Sequence, residues 1–202
     1  MYVSHPTLVL GLHGCDEEVG RALVNGTIPL KESTNDHDWL GPGMYFWENN
    51  LQRAKDWASK GNPSSSIKTP FVVGAVIDLG ECFDLLNQAY IDMLADNYQL
   101  YIDTLQSTGF PVPTNHLGPD RLVRRLDCGL FNFLWNRLRD PSLPRELITE
   151  FDSVRAAFIE GDELYPTAGF RKQNHIQIAI RNPNCIKGYF IPRDRDTSFK
   201  RV

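Results

Sequence analysis

The sequence predicts an α+β fold, in which a mostly antiparallel β-sheet is interrupted by a pair of long helices. Three observations support this prediction. Residues 8–12 form the continuous apolar run of a buried strand, and residues 174–181 alternate apolar and polar side chains. Between these strand signals, residues 88–106 and 120–139 repeat apolar side chains every three or four positions, which is the period of a helix.

Length and composition indicate one globular domain. The chain has 202 residues, of which 42% are hydrophobic and 23% are charged, so it can bury a core without disulfides or metals. We therefore predict a single domain over residues 1–202, with a helical insertion over residues 87–150. The net charge of -4 gives no overall attraction to nucleic acid or to acidic membranes.

The cysteines and the N-terminal residues favour a cytoplasmic protein without a metal site. The four cysteines are far apart and follow no metal-binding spacing, which is typical of free thiols in a reducing compartment. The apolar run near the N-terminus has no basic region before it and is too short for a signal sequence or a membrane span. An exported effector without a cleaved signal would show the same features.

The first third of the chain predicts strands alternating with short helices. Residues 7–13 predict a buried strand, and Asp16 is a suitable N-cap for a helix that continues to Val24. Polar residues 31–38 predict a surface loop. Small and apolar residues on one face predict a second helix within residues 49–60, with Asn49 and Asn50 as candidate caps.

The remaining strands frame the helical middle. A nearly continuous apolar run at residues 71–79 predicts a central strand. In the alternating run near the C-terminus, His175 and Gln177 share one face, opposite the isoleucines. Residues 186–191 predict the final strand.

Two short motifs in the first third place glycine beside a histidine and a tyrosine. His13 and Gly14 end the first strand, and Gly41 and Gly43 precede Tyr45 in the run Leu-Gly-Pro-Gly-Met-Tyr-Phe-Trp-Glu. Glycine lets the backbone approach a ligand closely, and a tyrosine after such a turn offers its ring for stacking. Each motif alone is typical of ordinary strand ends and turns.

In this order, and followed by Gln177, the motifs resemble those of the ADP-ribosyltransferase superfamily. The similar branch includes diphtheria toxin and the poly(ADP-ribose) polymerases, whose pattern is His, Tyr and Glu. The resemblance covers about residues 7–86 and 150–191, and the helical middle has no counterpart. It implies a split, clamp-like antiparallel sheet that holds NAD, as a substrate, in a cleft. NAD then loses nicotinamide through an oxocarbenium-like ribose, which a nucleophile of the target attacks.

The resemblance also implies roles in binding NAD. The residue matching His13 hydrogen-bonds the adenosine ribose, and the glycine matching Gly14 offers backbone groups to the nicotinamide amide. The residue matching Tyr45 stacks on the nicotinamide ring. The polar loop before the glycine-rich turn resembles a loop that covers the pyrophosphate, where Ser33 would donate a hydrogen bond; the alternative is a loop residue that only faces water.

The sequence departs from the family at its catalytic glutamate, where the register gives Gln177. Glutamine can still accept a hydrogen bond from a ribose hydroxyl, but it has no charge to stabilise the oxocarbenium. Losing such a charged group typically costs on the order of 10²–10³ in rate. Either Gln177 supports slow transfer, or another acid acts, or the protein only binds NAD. The candidate acid is Glu160, before the loop at residues 162–173, unless it merely ends a surface helix. Weaker candidates by position are Glu48 and Glu163.

His175 is a further candidate because it shares a strand face with Gln177. In related transferases this position contacts the acceptor, so we expect His175 to be a general base or an acceptor contact, with a purely structural role as the alternative.

The expected function is mono-ADP-ribosylation of a macromolecule with release of nicotinamide. The alternatives are an NAD glycohydrolase, an inactive module that binds NAD or ADP-ribose, and an α+β protein without an assignable activity. The acceptor would be a protein or a nucleic acid, and size suggests, by analogy with bacterial toxins, an antitoxin or regulatory partner. Five arginines of the second inserted helix indicate either a nucleic-acid contact or a solvated face: Arg121, Arg124, Arg125, Arg137 and Arg139.

Overall fold

The computed structural model describes residues 8–60, 67–142, 150–194 and 196–200. Within these residues the chain forms a seven-stranded sheet, a two-stranded hairpin and four α-helices, so the predicted α+β class is confirmed. In chain order the elements are β1 (Val9–Asp16), α1 (Glu17–Val24), β2 (Met44–Glu48), α2 (Leu51–Lys60), β3 (Pro70–Ile77), β4 (Cys82–Asp84), α3 (Gln88–Thr108), β5 (Asn115–His116), β6 (Val123–Arg124), α4 (Arg125–Leu138), β7 (Ser153–Phe158), β8 (His175–Ile180) and β9 (Ile186–Phe190).

The large sheet is open and mostly antiparallel, as predicted. Its strand order is β4-β7-β8-β2-β1-β3-β9. Every neighbouring pair is antiparallel except β4 and β7, which are parallel. The strands of the C-terminal third therefore lie on both sides of the N-terminal strands β2, β1 and β3, and β8 pairs directly with β2. This topology brings the last third of the chain beside the tyrosine motif.

β1 and β2 separate near the middle of the sheet. These two fully described strands pair only at Gly11 with Glu48 and at Leu12 with Trp47, whereas β1 pairs with β3 over its whole length. Beyond this short ladder the ring of His13 bridges the strands, with Nδ1 2.8 Å from the backbone oxygen of Tyr45. The two motifs of the N-terminal third therefore meet where the strands diverge.

α2 and α4 cover the same face of the sheet and leave a strip between them. α2 packs on Leu12 and Trp47, and α4 packs on Val154 and Ala179. Residues that pair directly across neighbouring strands lie on the same face of a sheet. Leu12 pairs with Trp47 and Trp47 pairs with Gln177, while Ala179 lies two positions after Gln177 and pairs with Val154, so all of these residues lie on one face. The uncovered strip of β2 and β8 therefore forms the floor of a cleft between the two helices.

α2 begins at Leu51, and Asn50 caps it through its side chain as predicted, while Asn49 lies outside the helix with a φ of 47°. The other helix of the cleft begins later than predicted. α4 begins at Arg125 rather than at residue 120, because Arg121 has a φ of 50°, which interrupts a right-handed helix.

The helical insertion is part of the main core. The α4 side chains Phe131, Leu134 and Trp135 lie in one buried cluster with Phe83 and Val154 of the sheet. Phe131 and Trp135 lie outside the predicted apolar stripe of this helix, which runs through Leu122, Leu126, Leu130, Phe133, Leu134 and Leu138. The neighbouring elements therefore cover α4 over a wider arc than one stripe. Residue 7 of the first predicted strand and residues 143–149 of the insertion lie outside the described residues.

All four cysteines are described and buried, and each is a free thiol rather than part of a disulfide. None of the described helices has the length and apolar character needed to cross a bilayer.

Candidate functional site

A cleft of about 360 Å³ opens on the strip between α2 and α4. Its volume falls in the range of small-molecule sites. Seven of the eight residues predicted for the site line it: His13, Ser33, Gly43, Tyr45, Glu160, His175 and Gln177. The structure therefore brings together side chains that are up to 164 positions apart, from His13 to Gln177.

Gly14 is the predicted residue that does not line the cleft. It is buried in β1, and a Cβ at this position would lie 2.6 Å from the backbone oxygen of Ala54 in α2. Glycine is therefore required here because a helix backbone packs directly on the strand. The predicted contact of Gly14 with nicotinamide is not needed to explain this residue.

His13 is a neutral hydrogen-bonding group in the gap between β1 and β2. A backbone carbonyl only accepts hydrogen bonds, so Nδ1 of His13 donates to the Tyr45 oxygen, and Nε2 is the acceptor nitrogen. Burial lowers the pKa of His13 below its usual value, with the Tyr45 carbonyl acting in the opposite direction. The imidazole can therefore accept a hydrogen bond from a ligand hydroxyl.

Tyr45 is fixed in orientation by the turn that precedes it. Its hydroxyl donates to the backbone oxygen of Gly41, at 2.7 Å, and accepts from the backbone N–H of Leu40, at 3.0 Å. Gly41 has a φ of +78°, which a glycine adopts without strain. Burial, and then the nearby Asp38 carboxylate, raise the pKa of Tyr45 well above its usual value. The ring is thus a rigid, neutral wall of the cleft.

The loop before the turn is closed on itself rather than freely solvated. Ser33 and Gly43 exchange two backbone hydrogen bonds, of 2.9 and 3.0 Å. The Ser33 hydroxyl accepts from the Asn35 amide at 2.8 Å, and the Asp38 carboxylate accepts from the backbone N–H of Asn35 at 2.6 Å. The loop therefore presents a fixed set of polar groups at the cleft.

Gln177 is held by a tryptophan that the sequence analysis did not select. The indole Nε1 of Trp39 donates to Oε1 of Gln177 at 2.5 Å. Because an indole N–H is only a donor, the amide oxygen must face Trp39, and the NH₂ group is left for a ligand. Gln177 therefore presents a hydrogen-bond donor to the cleft, rather than the acceptor that the motif predicts.

Glu160 brings a carboxylate into the cleft, but as one half of an ion pair. It follows the strand β7, not a surface helix, and its Oε2 accepts from Nη2 of Arg53 in α2 at 2.6 Å. The two side chains are only 18% and 14% exposed, so water screens the pair weakly. Nδ1 of His175 lies 3.8 Å from the same oxygen.

His175 is buried, stacked and neutral. Its side chain is 1% exposed and lies parallel to the ring of Phe158, with ring centroids 5.3 Å apart. Nδ1 donates to the backbone oxygen of Gln173 at 2.7 Å, and Nε2 has no hydrogen-bond partner among the described residues. Burial lowers the pKa of His175 to about 4. This placement favours a supporting role over direct contact with an acceptor.

The cleft walls are more aromatic than the motifs indicated. Trp39, Trp47, Trp57 and Phe158 line it together with Tyr45. Trp47 and Trp57 lie with ring centroids 5.7 Å apart, and Trp39 meets Phe158 edge to face at 5.0 Å. Trp39 could have been suspected from the sequence, because a large aromatic residue directly follows the polar loop predicted at residues 31–38.

The other sequence candidates lie elsewhere. Glu48 accepts two hydrogen bonds from the buried Arg155, which also pairs with Asp84. Glu163 pairs with Arg171 only through the backbone, in an isolated β-bridge, and its carboxylate accepts from the backbone N–H of Thr167 at 2.9 Å.

The arginines around α4 are mostly engaged one by one rather than forming a free basic face. Arg124 stacks on aromatic rings, Arg125 pairs with Asp36, and Arg137 donates to Asn97.

The chain matches no protein-family model, no curated protein and no solved structure, so the family stays an expectation that rests on the motifs and on the cleft in which they meet.

Proposed function

We propose that the protein is an NAD-dependent mono-ADP-ribosyltransferase with an ADP-ribosyltransferase-like fold. The observation that supports this proposal is the meeting of His13, Tyr45 and Gln177 in one cleft, together with the carboxylate of Glu160. In the resemblance, these three residues match the family's His, Tyr and Glu, with glutamine in place of the glutamate. The separation of β1 and β2 at His13 agrees with the split sheet that the resemblance implies.

The cleft offers what the two ends of NAD require. The Tyr45 ring, fixed by two hydrogen bonds, is a stacking surface for nicotinamide. The acceptor nitrogen of His13 suits a ribose hydroxyl. Lys31 lines the cleft beside the polar groups of Ser33 and Asn35, which suits the charged pyrophosphate.

Transfer breaks the bond between the anomeric ribose carbon and the nicotinamide nitrogen. The bonding electrons go to the nitrogen, so the pyridinium becomes neutral nicotinamide and positive charge develops on the ribose. A nearby carboxylate stabilises that charge more in the transition state than in the ground state. Among the described residues, two carboxylates line the cleft, those of Glu160 and Asp38. Asp38 accepts hydrogen bonds from Asn35 within its own loop, so we assign the stabilising charge to Glu160, which also serves as the base for the proton that the nucleophile loses. Gln177 contributes a hydrogen-bond donor without charge.

A module that binds NAD or ADP-ribose without turnover is the second candidate. Two observations favour it: the Gln177 oxygen is occupied by Trp39, and the Glu160 carboxylate is neutralised by Arg53. Both interactions reduce the negative charge that the cleft can offer to an oxocarbenium ion. Binding would be unaffected, because the ring walls and donors stay in place.

Release of nicotinamide separates these candidates. The protein is incubated with NAD labelled in the adenosine portion, with and without a cell lysate. Release that needs lysate and leaves label on protein or nucleic acid supports the transferase. Release without lysate indicates a glycohydrolase, and no release with NAD still raising the melting temperature indicates a binding module. No release and no thermal shift would overturn the NAD assignment altogether.

A further inference from the structure

The turn and short strand before α4 lie against the cleft, although they belong to the insertion. We define residues 117–124 as the insertion strap. Leu122 lines the cleft directly. The strap is tightly turned, since Leu117, Gly118 and Arg121 all have positive φ. Its path therefore brings the end of the strap, Arg124, to the cleft wall.

Arg124 packs on two rings of that wall. Its guanidinium carbon lies 4.7 Å from the ring centroid of Trp39 and 3.8 Å from that of Phe158. The side chain is 16% exposed, and its carboxylate neighbour Asp127 is 3.9 Å away. A largely desolvated cation on two aromatic faces forms a stronger contact than an exposed one. Arg124 therefore holds Trp39 and Phe158 in one arrangement.

Each of these rings contacts a residue of the cleft floor. Trp39 donates to the Gln177 amide, and Phe158 stacks on His175. One aromatic ring therefore lies between Arg124 and each of the two polar residues of β8, Gln177 and His175. The strap makes a third link at its turn, where Asp120 accepts a hydrogen bond of 2.9 Å from the backbone N–H of Gly161, directly after Glu160.

We propose that the insertion strap positions the reactive side chains of the cleft and that Arg124 is its positioning residue. Arg124 acts through Trp39 on the Gln177 amide and through Phe158 on the His175 ring. A planar guanidinium stacks on aromatic faces in a way that a lysine ammonium does not. The catalytic part of this inference rests on the proposed function, but the coupling between Arg124 and Trp39 does not.

The coupling is measured by NMR on the indole N–H of Trp39, assigned with Trp39→Phe. In the folded wild-type protein this proton is hydrogen-bonded to Gln177, so it exchanges slowly with water. Arg124→Ala is expected to shift the resonance and to speed its exchange at least about tenfold, which corresponds to a loss of roughly 1.4 kcal/mol. Arg139→Ala, an equivalent change at an exposed arginine outside the cleft, is expected to leave it unchanged.

Arg124→Lys keeps the charge and guards against a variant that fails to fold. It is expected to move the Trp39 resonance in the same direction by a smaller amount. A Trp39 signal that is identical to the wild type in Arg124→Ala, or in Arg124→Lys if the alanine variant does not fold, would overturn the proposal.

Kinetics then test the positioning role. Because Arg124 lies behind the rings, Arg124→Ala is expected to lower kcat for nicotinamide release by on the order of 10–10² while KM changes little. An unchanged kcat, with Trp39 displaced, would overturn the positioning role. If the wild type releases no nicotinamide, the proposed function fails, and the NMR measurement still decides whether the strap holds Trp39.

Discussion

The Gln177 amide shows how one donor-only neighbour decides what a site residue offers. Glutamine alone can present an oxygen or an NH₂ group. Because the Trp39 indole can only donate, the oxygen is committed and the cleft receives the NH₂ group. An uncharged donor at this point can hydrogen-bond a ligand hydroxyl, but it does not stabilise a developing cation.

Replacing Gln177 by glutamate is therefore expected to preserve or raise nicotinamide release. One carboxylate oxygen keeps the Trp39 hydrogen bond, and the other places negative charge in the cleft. The gain has an upper limit on the order of 10²–10³, the usual value of one such electrostatic group. Release rates of Gln177→Glu are compared with those of Gln106→Glu, the same change on the exposed face of α3. Loss of release specific to Gln177→Glu would contradict this role.

Glu160 is expected to be the acid on which turnover depends. Glu160→Gln keeps a similar shape but removes the charge, so nicotinamide release should fall on the order of 10²-fold or more. Glu163→Gln is the matched control, because Glu163 lies in the following loop and does not line the cleft, and a glutamine oxygen can still accept from the backbone N–H of Thr167. Equal rates for the two variants would show that Glu160 is not the acid.

His175 makes the free energy of unfolding depend on pH. Its pKa is about 4 in the folded protein, against about 6.5 in an unfolded chain. The unfolded state therefore binds the proton first, and stability is lost as the pH falls from about 6.5 towards 4. The loss is on the order of 3 kcal/mol. Burial of His13 acts in the same direction.

Denaturant unfolding at pH 7 and pH 4.5 checks this expectation. His175→Gln should lose less free energy of unfolding over this interval than the wild type, whereas His116→Gln, at an exposed position, should behave as the wild type. The same pH dependence in all three proteins would contradict the assignment to His175.

At the scale of elements, the contact of α2 with β1 explains a glycine that the motif had assigned to a ligand. A Cβ on Gly14 would lie 2.6 Å from the Ala54 oxygen and 3.2 Å from the Ala58 nitrogen, both helix backbone atoms. Backbone atoms cannot move aside as a side chain can. The first strand and the second helix are therefore in direct main-chain contact.

Gly14→Ala is expected to lower the free energy of unfolding by about 1–3 kcal/mol, the usual effect of overpacking. Gly188→Ala in β9 is the control, because a Cβ there meets no atom within 4 Å and its backbone is not left-handed. Denaturant midpoints of the two variants give the comparison. An unchanged midpoint for Gly14→Ala would show that α2 does not press on this strand.

Four of the strands, β1, β3, β8 and β9, and the helix α1 were predictable because their signals are local. The apolar runs predicted β1, β3 and β9, and the Asp16 cap is present as expected, accepting from the backbone N–H of Glu18. The start of α4 was not predictable, because it depends on the left-handed backbone of Arg121. The aromatic walls were missed for another reason: the contact of Trp39 with Gln177 links residues 138 positions apart, and no local pattern records it.

At the scale of the whole molecule, the cleft depends on the strand order. Pairing of β8 with β2 places Gln177 beside Trp47, while the divergence of β1 and β2 admits the His13 ring. α2 and α4 then enclose this strip from the two sides. The insertion is therefore a wall of the site as well as part of the core. The resemblance did not predict this role, because the resembled family has no counterpart of the insertion.

Binding of NAD in this cleft is the central claim, and the melting temperature tests it most directly. Free NAD at about 100 times Kd stabilises the folded protein by about 2.7 kcal/mol, which is roughly 5–11 °C for a chain of this size. We expect this shift for the wild type and for Tyr98→Ala, at an exposed tyrosine of α3, and no shift for Tyr45→Ala. A wild-type melting temperature that saturating NAD leaves unchanged, or an undiminished shift in Tyr45→Ala, would contradict the account.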